Sequence, residues 1–291
     1  MEWRPRASRS LRRVSRALPS FDLVVATVGR EPELRRLLDS LGMQTRGAVR
    51  VIVVDQSGDD RLKGALAGAE VELLHLRSEP GLSLARNVGL RGVAADVVGF
   101  PDDDCSYPTD LLARVGERLT TGSGLDGVTG RVVDSDGRSS LSWEPARAIL
   151  DRSNLWNRAN SATMFLRREL VERVGPFDEE LGLGARSPWR SGEEIDYLVR
   201  ALDTGARIEY DPSLVVEHRV VPDDAAIGVR DGATVGYLLR KHGYPARTRA
   251  RMLVRPIGGA LVALARGDVG GARYHAAAFR GRVRGLRSRP R

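Results

Sequence analysis

Between Phe21 and Phe100, short Val/Ile-rich runs alternate several times with helix-like segments, and this alternation constrains the fold more than any other feature of the chain. FDLVVATV, VRVIVVD, VELLHLR and DVVGF read as strands, since β-branched runs of this length fill buried sheet positions. EPELRRLLDSL places Leu34, Leu37, Leu38 and Leu41 on one helical face, and GLSLARNVGLRGVA reads as a further helix. Near-continuous apolar strands separated by amphipathic helices predict parallel strands covered on both faces. Sheets of this kind bind ligands beyond the carboxyl ends of their strands. Thr27, Asp55 and the trio Asp102, Asp103 and Asp104 stand there.

Three consecutive carboxylates after the apolar run VVGF pose an electrostatic problem, because like charges raise one another's pKa values unless positive charge joins them. A hard divalent cation shared with substrate phosphates would solve it. The plainer alternative is a solvated acidic turn ahead of a helix that starts near Tyr107-Pro108-Thr109. The convergence of Thr27, Asp55 and the trio on one sheet end favours the cation.

The chain has 291 residues, enough for one substantial core. Its single cysteine, Cys105, leaves no disulfide framework and points to a reducing, cytosolic compartment. Residues 1–20 are basic but lack the apolar core of a signal peptide, and no run is long enough to span a bilayer. Charge is unevenly distributed. Residues 1–20 carry +5 and residues 246–291 carry +11, so a net charge of +8 leaves −8 for the middle. An acidic middle argues against a nucleic-acid groove in the core, while basic ends suit an anionic surface.

After Pro108 the pattern changes. The sequence predicts a helix near 109–120, a strand DGVTGRVVD, an apolar strand ATMFLR, a helix RELVERVG and the turn GPFDEELGLG. SGEEIDYLVRALDTG follows as a helix with Ile195, Leu198, Val199 and Leu202 on one face, and RIEY and SLVVEHRV as two strand pieces.

These segments resemble the GT-A glycosyltransferases, specifically the inverting family 2 group, over about residues 20–220. The resemblance rests on VVATVGR, VIVVDQSGDD, GLSLARNVGL, VVGFPDDDC and NSATMFLRRELVERVGPFDEELGLG…SGEEIDYLVR occurring in that order. It implies an α/β fold: a Rossmann-like nucleotide-binding half over 21–108, a mixed acceptor half over 109–222, and a helical basic region over 223–291. It implies that Thr27, Asp55 and Arg86 lie at the donor nucleotide, Arg86 being otherwise a helix-surface cation. Asp102 and Asp104 match the Asp-x-Asp signature, with Asp104 binding Mn²⁺ or Mg²⁺ and Asp102 facing ribose or metal. His218 follows a strand where related enzymes place a histidine near the metal; a structural histidine is the alternative. Asn160, Trp189 and Arg190 could line the sugar or acceptor pocket or pack a loop. The family's base is the Asp of a Glu-Asp pair, and here the pair reads Glu193-Glu194, which leaves the choice between the two glutamates open. Asp196 reads as a structural partner.

From Arg266 to Arg291, six arginines (Arg266, Arg273, Arg280, Arg284, Arg287 and Arg291) would fall within about 60° on a continuous helix, with Phe279, Val283 and Leu286 on another side. That pattern suits a helix lying in a membrane interface, although five glycines from Gly267 to Gly285 weaken the helix. The expected activity is inverting transfer of a sugar from a nucleotide diphosphate donor to a hydroxyl acceptor of lipid-linked or envelope type, by a peripheral protein of the inner membrane face. A metal-dependent sugar nucleotidyltransferase and a catalytically silent nucleotide-sugar-binding protein are the alternatives.

Overall fold

The computed structural model describes residues 18–45, 47–122, 124–139, 143–219 and 224–288; most of the basic segment 1–20 lies outside them. The nucleotide-type half is built from β1 (Phe21–Thr27), α1 (Glu31–Gly42), β2 (Val49–Asp55), α2 (Lys63–Ala67), β3 (Glu72–Arg77), α3 (Leu82–Leu90) and β4 (Val97–Gly99). β1 pairs with β2 and β4, and β2 with β3, all parallel, as the apolar runs predict. Leu23 to Val25 and Val51 to Val54 are fully buried because helices cover both faces of these strands, and Leu34, Leu37, Leu38 and Leu41 of α1 supply one cover. β3 has a sheet neighbour on one side, and its residues are half-buried or exposed.

The second half adds β5 (Cys105–Ser106), α4 (Leu111–Thr121), β6 (Gly127–Val133), β7 (Ala148–Ile149), β8 (Phe165–Arg167), α5 (Arg168–Val174), α6 (Glu193–Asp203) and β9 (Ile208–His218). Among the described residues all strands join one sheet in the order β3-β2-β1-β4-β8-β6-β9-β5, with β7 on β9. β8 runs antiparallel to β4, so the sheet turns mixed where the sequence pattern changes.

Two expectations need correction here. RIEY and SLVVEHRV form the single strand β9, which accommodates Pro212 because the register against β6 shifts between Thr129 and Arg131. ATMFLR is a strand only over Phe165–Arg167; Ser161–Thr163 winds into a 3₁₀ turn because Asn160 Oδ1 accepts the Ala162 N–H at 2.9 Å.

The C-terminal region is helical: α7 (Ala225–Lys241), α8 (Ala246–Ala265) and α9 (Val269–Arg287). It is not one arginine-faced helix. Gly267, with φ of 73°, breaks the chain after Arg266, and Asp268 caps α9 by accepting the Gly271 N–H at 2.8 Å. Arg266 therefore belongs to the turn, and Arg291 lies outside the described residues. The glycines serve packing. A Cβ at Gly232 of α7 would stand 2.3 Å from the Ala278 carbonyl oxygen, and one at Gly285 of α9 2.0 Å from that of Ala233. The two backbones touch, so positions unfavourable for an isolated helix are required for this pair. No helix among the described residues is long and apolar enough to cross a membrane.

Candidate active site

The acid trio begins where β4 ends, and Asp102 bridges to Ala26 beside β1. Three protein cations meet it. Arg30, in the turn after β1, ion-pairs with buried Asp103 and reaches Asp104 Oδ2 at 3.1 Å. Arg86 of α3 donates to Asp102 Oδ1 at 3.2 Å. His218 Nε2, at the end of β9, lies 3.4 Å from Asp102 Oδ2 and 3.2 Å from Asp104 Oδ1. The pairing of Cys105 with His218 across β5 and β9 brings the histidine to this point.

These neighbours separate the carboxyls. Burial pushes Asp103 up, against the opposing effects of the Thr27 hydroxyl and Arg30. Burial also works against the charge of Asp104, but the hydrogen bond and charge of His218, with those of Arg30, hold it down at about 2. His218 shows the reciprocal effect: burial would lower it, and Asp102 and Asp104 push it up to about 10.

The glutamate pair opens α6, where the helix N-terminus favours acidic groups. Gly192 precedes it with φ of 75°, and a Cβ there would press on Leu238 and Thr234 of α7, so the pair is aimed by a close helix contact. Arg86 is no surface cation. It is 1% exposed, stands over the Phe177 ring, and donates Nη1 to Glu193 Oε1 at 2.8 Å while Nη2 holds Asp102. Glu194 has no side-chain partner among the described residues. Burial, followed by the charge of Glu193, pushes its carboxyl up to about 8, with Arg86 opposing.

A cleft of 480 Å³ gathers Arg30, Asp102 to Asp104, Asn160, Arg190, both glutamates, His218 and Arg230. Thr27 lies just beneath, buried at the end of β1. Asp55 does not line the cleft: its Oδ1 accepts from the Ser57 N–H and hydroxyl, and Gln56 lines the cleft instead. Trp189 stacks on Tyr237 with centroids 4.5 Å apart, so it packs α7, while Arg190 faces the cleft. Asp196 is structural, as expected, and accepts from Lys241, His242 and Arg200 at 2.6, 2.9 and 3.0 Å. Arg30 and Arg230 were not anticipated. An arginine in a turn and one on a helix beyond the recognisable segments carry no local signal; the unbalanced trio was the one hint that counter-charge had to arrive.

The trio meets protein cations, so charge balance alone does not call for a metal. The donor atoms fit one in part: the group that closes to within 4.8 Å among the described residues is Asp102, His218 and Cys105, and Asp104 reaches it only through His218. Atoms sharing a hard cation at roughly 2.0–2.6 Å lie about 3 Å apart, close to the spacings of His218 Nε2 from Asp102 and Asp104. Asp102 and His218 also converge with Cys105, though the sulfur is buried.

Residues 22–175 match the family described as glycosyl transferase family 2. Glycosyltransferase AglE of Haloferax volcanii is 26% identical over 236 residues, 77% of this chain and 71% of that protein. The pre-mycofactocin glycosyltransferase of Mycobacterium tuberculosis is 30% identical over 202 residues, 64% of this chain but 39% of that protein. Among solved structures, the mannosyltransferase PcManGT from Pyrobaculum calidifontis, in complex with GDP-Man and Mn²⁺, superposes with a TM-score of 0.63 at 18% identity, covering 93% of this chain and 88% of that one. S. aureus TarS 1–349 in complex with UDP-GlcNAc gives 0.58 at 18% identity, with 90% and 91% covered. At these identities the likeness is one of fold.

Proposed function

The chain belongs to glycosyl transferase family 2, and on that premise we propose that it transfers a sugar from a nucleotide diphosphate donor to a hydroxyl acceptor with inversion, by single displacement. The observation that carries this reading is the Arg86 bridge, which binds Glu193 and Asp102 and leaves the Glu194 carboxylate unpaired in the same cleft. Glu194 in its ionised form, which a pKa raised to about 8 makes the major one only at mildly alkaline pH, is the general base: it takes the proton of the acceptor hydroxyl as that oxygen attacks the anomeric carbon. Glu193 acts through Arg86 and positions the site.

Asp102, Asp104 and, once it gives up its proton, His218 would hold Mn²⁺ or Mg²⁺, and the ion would supply positive charge to the leaving diphosphate. Arg30 and Arg86 hold the carboxylates in place, and Arg190 offers further positive charge to an anionic substrate, whereas Arg230 at the cleft is already paired with Asp231. Asp102 lines the nucleotide side above buried Thr27, Asn160 lines the sugar side, and Asp55 orders the turn through Ser57 beneath the base. The complexes of PcManGT with GDP-Man and Mn²⁺ and of TarS with UDP-GlcNAc support the donor class. The acceptor is lipid-linked or part of the cell envelope, met at an anionic membrane surface; the +11 charge of residues 246–291 supports that location.

A thermal-shift screen of nucleoside diphosphates with and without Mn²⁺ tests the donor site. Metal-dependent stabilisation by at least one is expected; no response to any pair overturns the reading. Pyrophosphate release from a nucleoside triphosphate and a sugar phosphate would favour a nucleotidyltransferase.

A further inference from the structure

α8 presents to solvent apolar side chains that its neighbours leave uncovered. Val254, Ile257, Leu261 and Leu264 are 60%, 44%, 64% and 57% exposed. At about 100° per residue they fall within an arc of about 80°. Met252, Pro256 and Ala263, which are buried, lie on the opposite side. Arg247, Arg251 and Arg255 follow one edge of the strip at four-residue spacing. A contiguous apolar strip bordered by charge marks a contact surface.

Along that edge lies a cavity of 680 Å³, between α8 and residues 144–158, lined by Trp156, Arg158, Arg251, Val254 and Arg255, with Glu144 its one acidic lining residue. It shares no lining residue with the active-site cleft. Its positive charge is poorly matched. Glu144 lies 3.5 Å from Arg158, whose buried Nε makes no hydrogen bond. Arg251 donates to the Ser153 carbonyl, and Arg255 meets no carboxylate among the described residues. Behind them Arg282 of α9 donates to the Met252 carbonyl, and burial, followed by the charge of Arg255, pushes it down to about 10. Asp268, the sole acid of residues 246–291, is committed to capping α9. Cations held together without counter-charge are costly unless an anion joins them.

We infer that this cavity and the α8 strip form one lipid-binding surface. The phosphate of an anionic phospholipid headgroup lies among Arg158, Arg251 and Arg255, while Val254, Ile257, Leu261 and Leu264 enter the acyl region of the same leaflet. The inference rests on the membrane reading above and names the face that makes the contact; the transfer chemistry does not depend on it. A nucleic acid would match the arginines but not the aliphatic strip, and a bilayer interface matches both.

The test is co-sedimentation of the full chain with phosphatidylcholine vesicles, with and without phosphatidylglycerol, at low and high salt. Deleting residues 246–291 is a poor probe, since it uncovers the glycine face of α7. Two exposed-site double variants serve instead: Arg251→Glu with Arg255→Glu, and Leu261→Asp with Leu264→Asp. Each is expected to keep the wild-type melting temperature and its metal-dependent nucleotide binding. The arginine variant should lose partition onto anionic vesicles by about 25-fold or more, at about 1 kcal/mol per basic residue. The leucine variant should lose at least tenfold, including at high salt. Wild-type partition in either variant overturns the surface and leaves the membrane reading standing; failure of the wild-type chain to bind anionic vesicles overturns both. Equal binding to pure phosphatidylcholine overturns the arginine site.

Discussion

Glu193 and Glu194 are consecutive in the first turn of α6, and they differ because Arg86 takes one and leaves the other. Consecutive helical side chains point about 100° apart, so one can face the arginine while its neighbour faces the cleft. Glu194→Gln keeps the shape and removes the proton acceptor; turnover should fall by about 10²- to 10⁴-fold with donor affinity within a few fold of wild type. Glu193→Gln should instead lower the melting temperature. Breaking a buried pair costs up to roughly 3–5 kcal/mol, and less here because Asp102 still holds Arg86. Steady-state transfer with parallel melting curves checks both, and a large turnover loss confined to Glu193→Gln would exchange the two roles. The raised pKa of Glu194 carries a pH signature as well. A carboxyl that titrates near 8 when folded and near 4.5 when unfolded keeps its proton in the native state, so its stabilising contribution is full below about pH 4.5 and is lost as pH rises towards 8. Denaturant unfolding across that range should show a declining component in the wild type that is absent from Glu194→Gln; an unchanged slope would place the titration elsewhere.

Among elements, the pairing of α7 with α9 decides how the C-terminal region attaches to the catalytic half. Gly228, Gly232 and Gly236 of α7 meet the backbone of Tyr274, Ala278 and Arg282 of α9, and Gly281 and Gly285 of α9 meet that of Val229 and Ala233, so closely that no Cβ fits at these positions. α7 in turn meets the start of α6 through Leu238 and Thr234, and it carries Arg230 into the cleft. Gly285→Val should therefore force the helices apart, costing at least the roughly 1–3 kcal/mol typical of overpacking. Donor binding should weaken with it, as Gly192 and Arg230 shift. Thermal melting and nucleotide titration of the variant report the two effects; a wild-type melting temperature would mean that the helices do not pack backbone to backbone. On propensity alone these glycines argue against a helix, and in the folded chain they are what lets two helices meet.

For the molecule as a whole, the cleft draws on both halves of the chain and, through Arg230, on the helical region after them, while the proposed metal ligands come from the two halves alone. Asp104→Ala removes the carboxylate shared by Arg30 and His218 and should abolish metal-dependent nucleotide binding, read by titration with a nucleoside diphosphate and Mn²⁺. Wild-type affinity in that variant would overturn the metal assignment. The parallel half was legible in the sequence because strand and helix periodicity is local: Val51 to Val54 and the leucines of α1 declare their burial within a few residues. The place of the cleft was legible too, since carboxylates following an apolar strand point to the sheet's carboxyl end. The partners of those carboxylates were not. Arg30 is 73 residues from Asp103 and Arg86 is 107 from Glu193, and no local pattern records contacts at that range. Burial of Arg86, the different surroundings of the two glutamates, the joining of two strand pieces into β9 and the folding of the arginine-rich tail into two helices were decided by tertiary packing. Each depends on which surfaces meet once the sheet has formed.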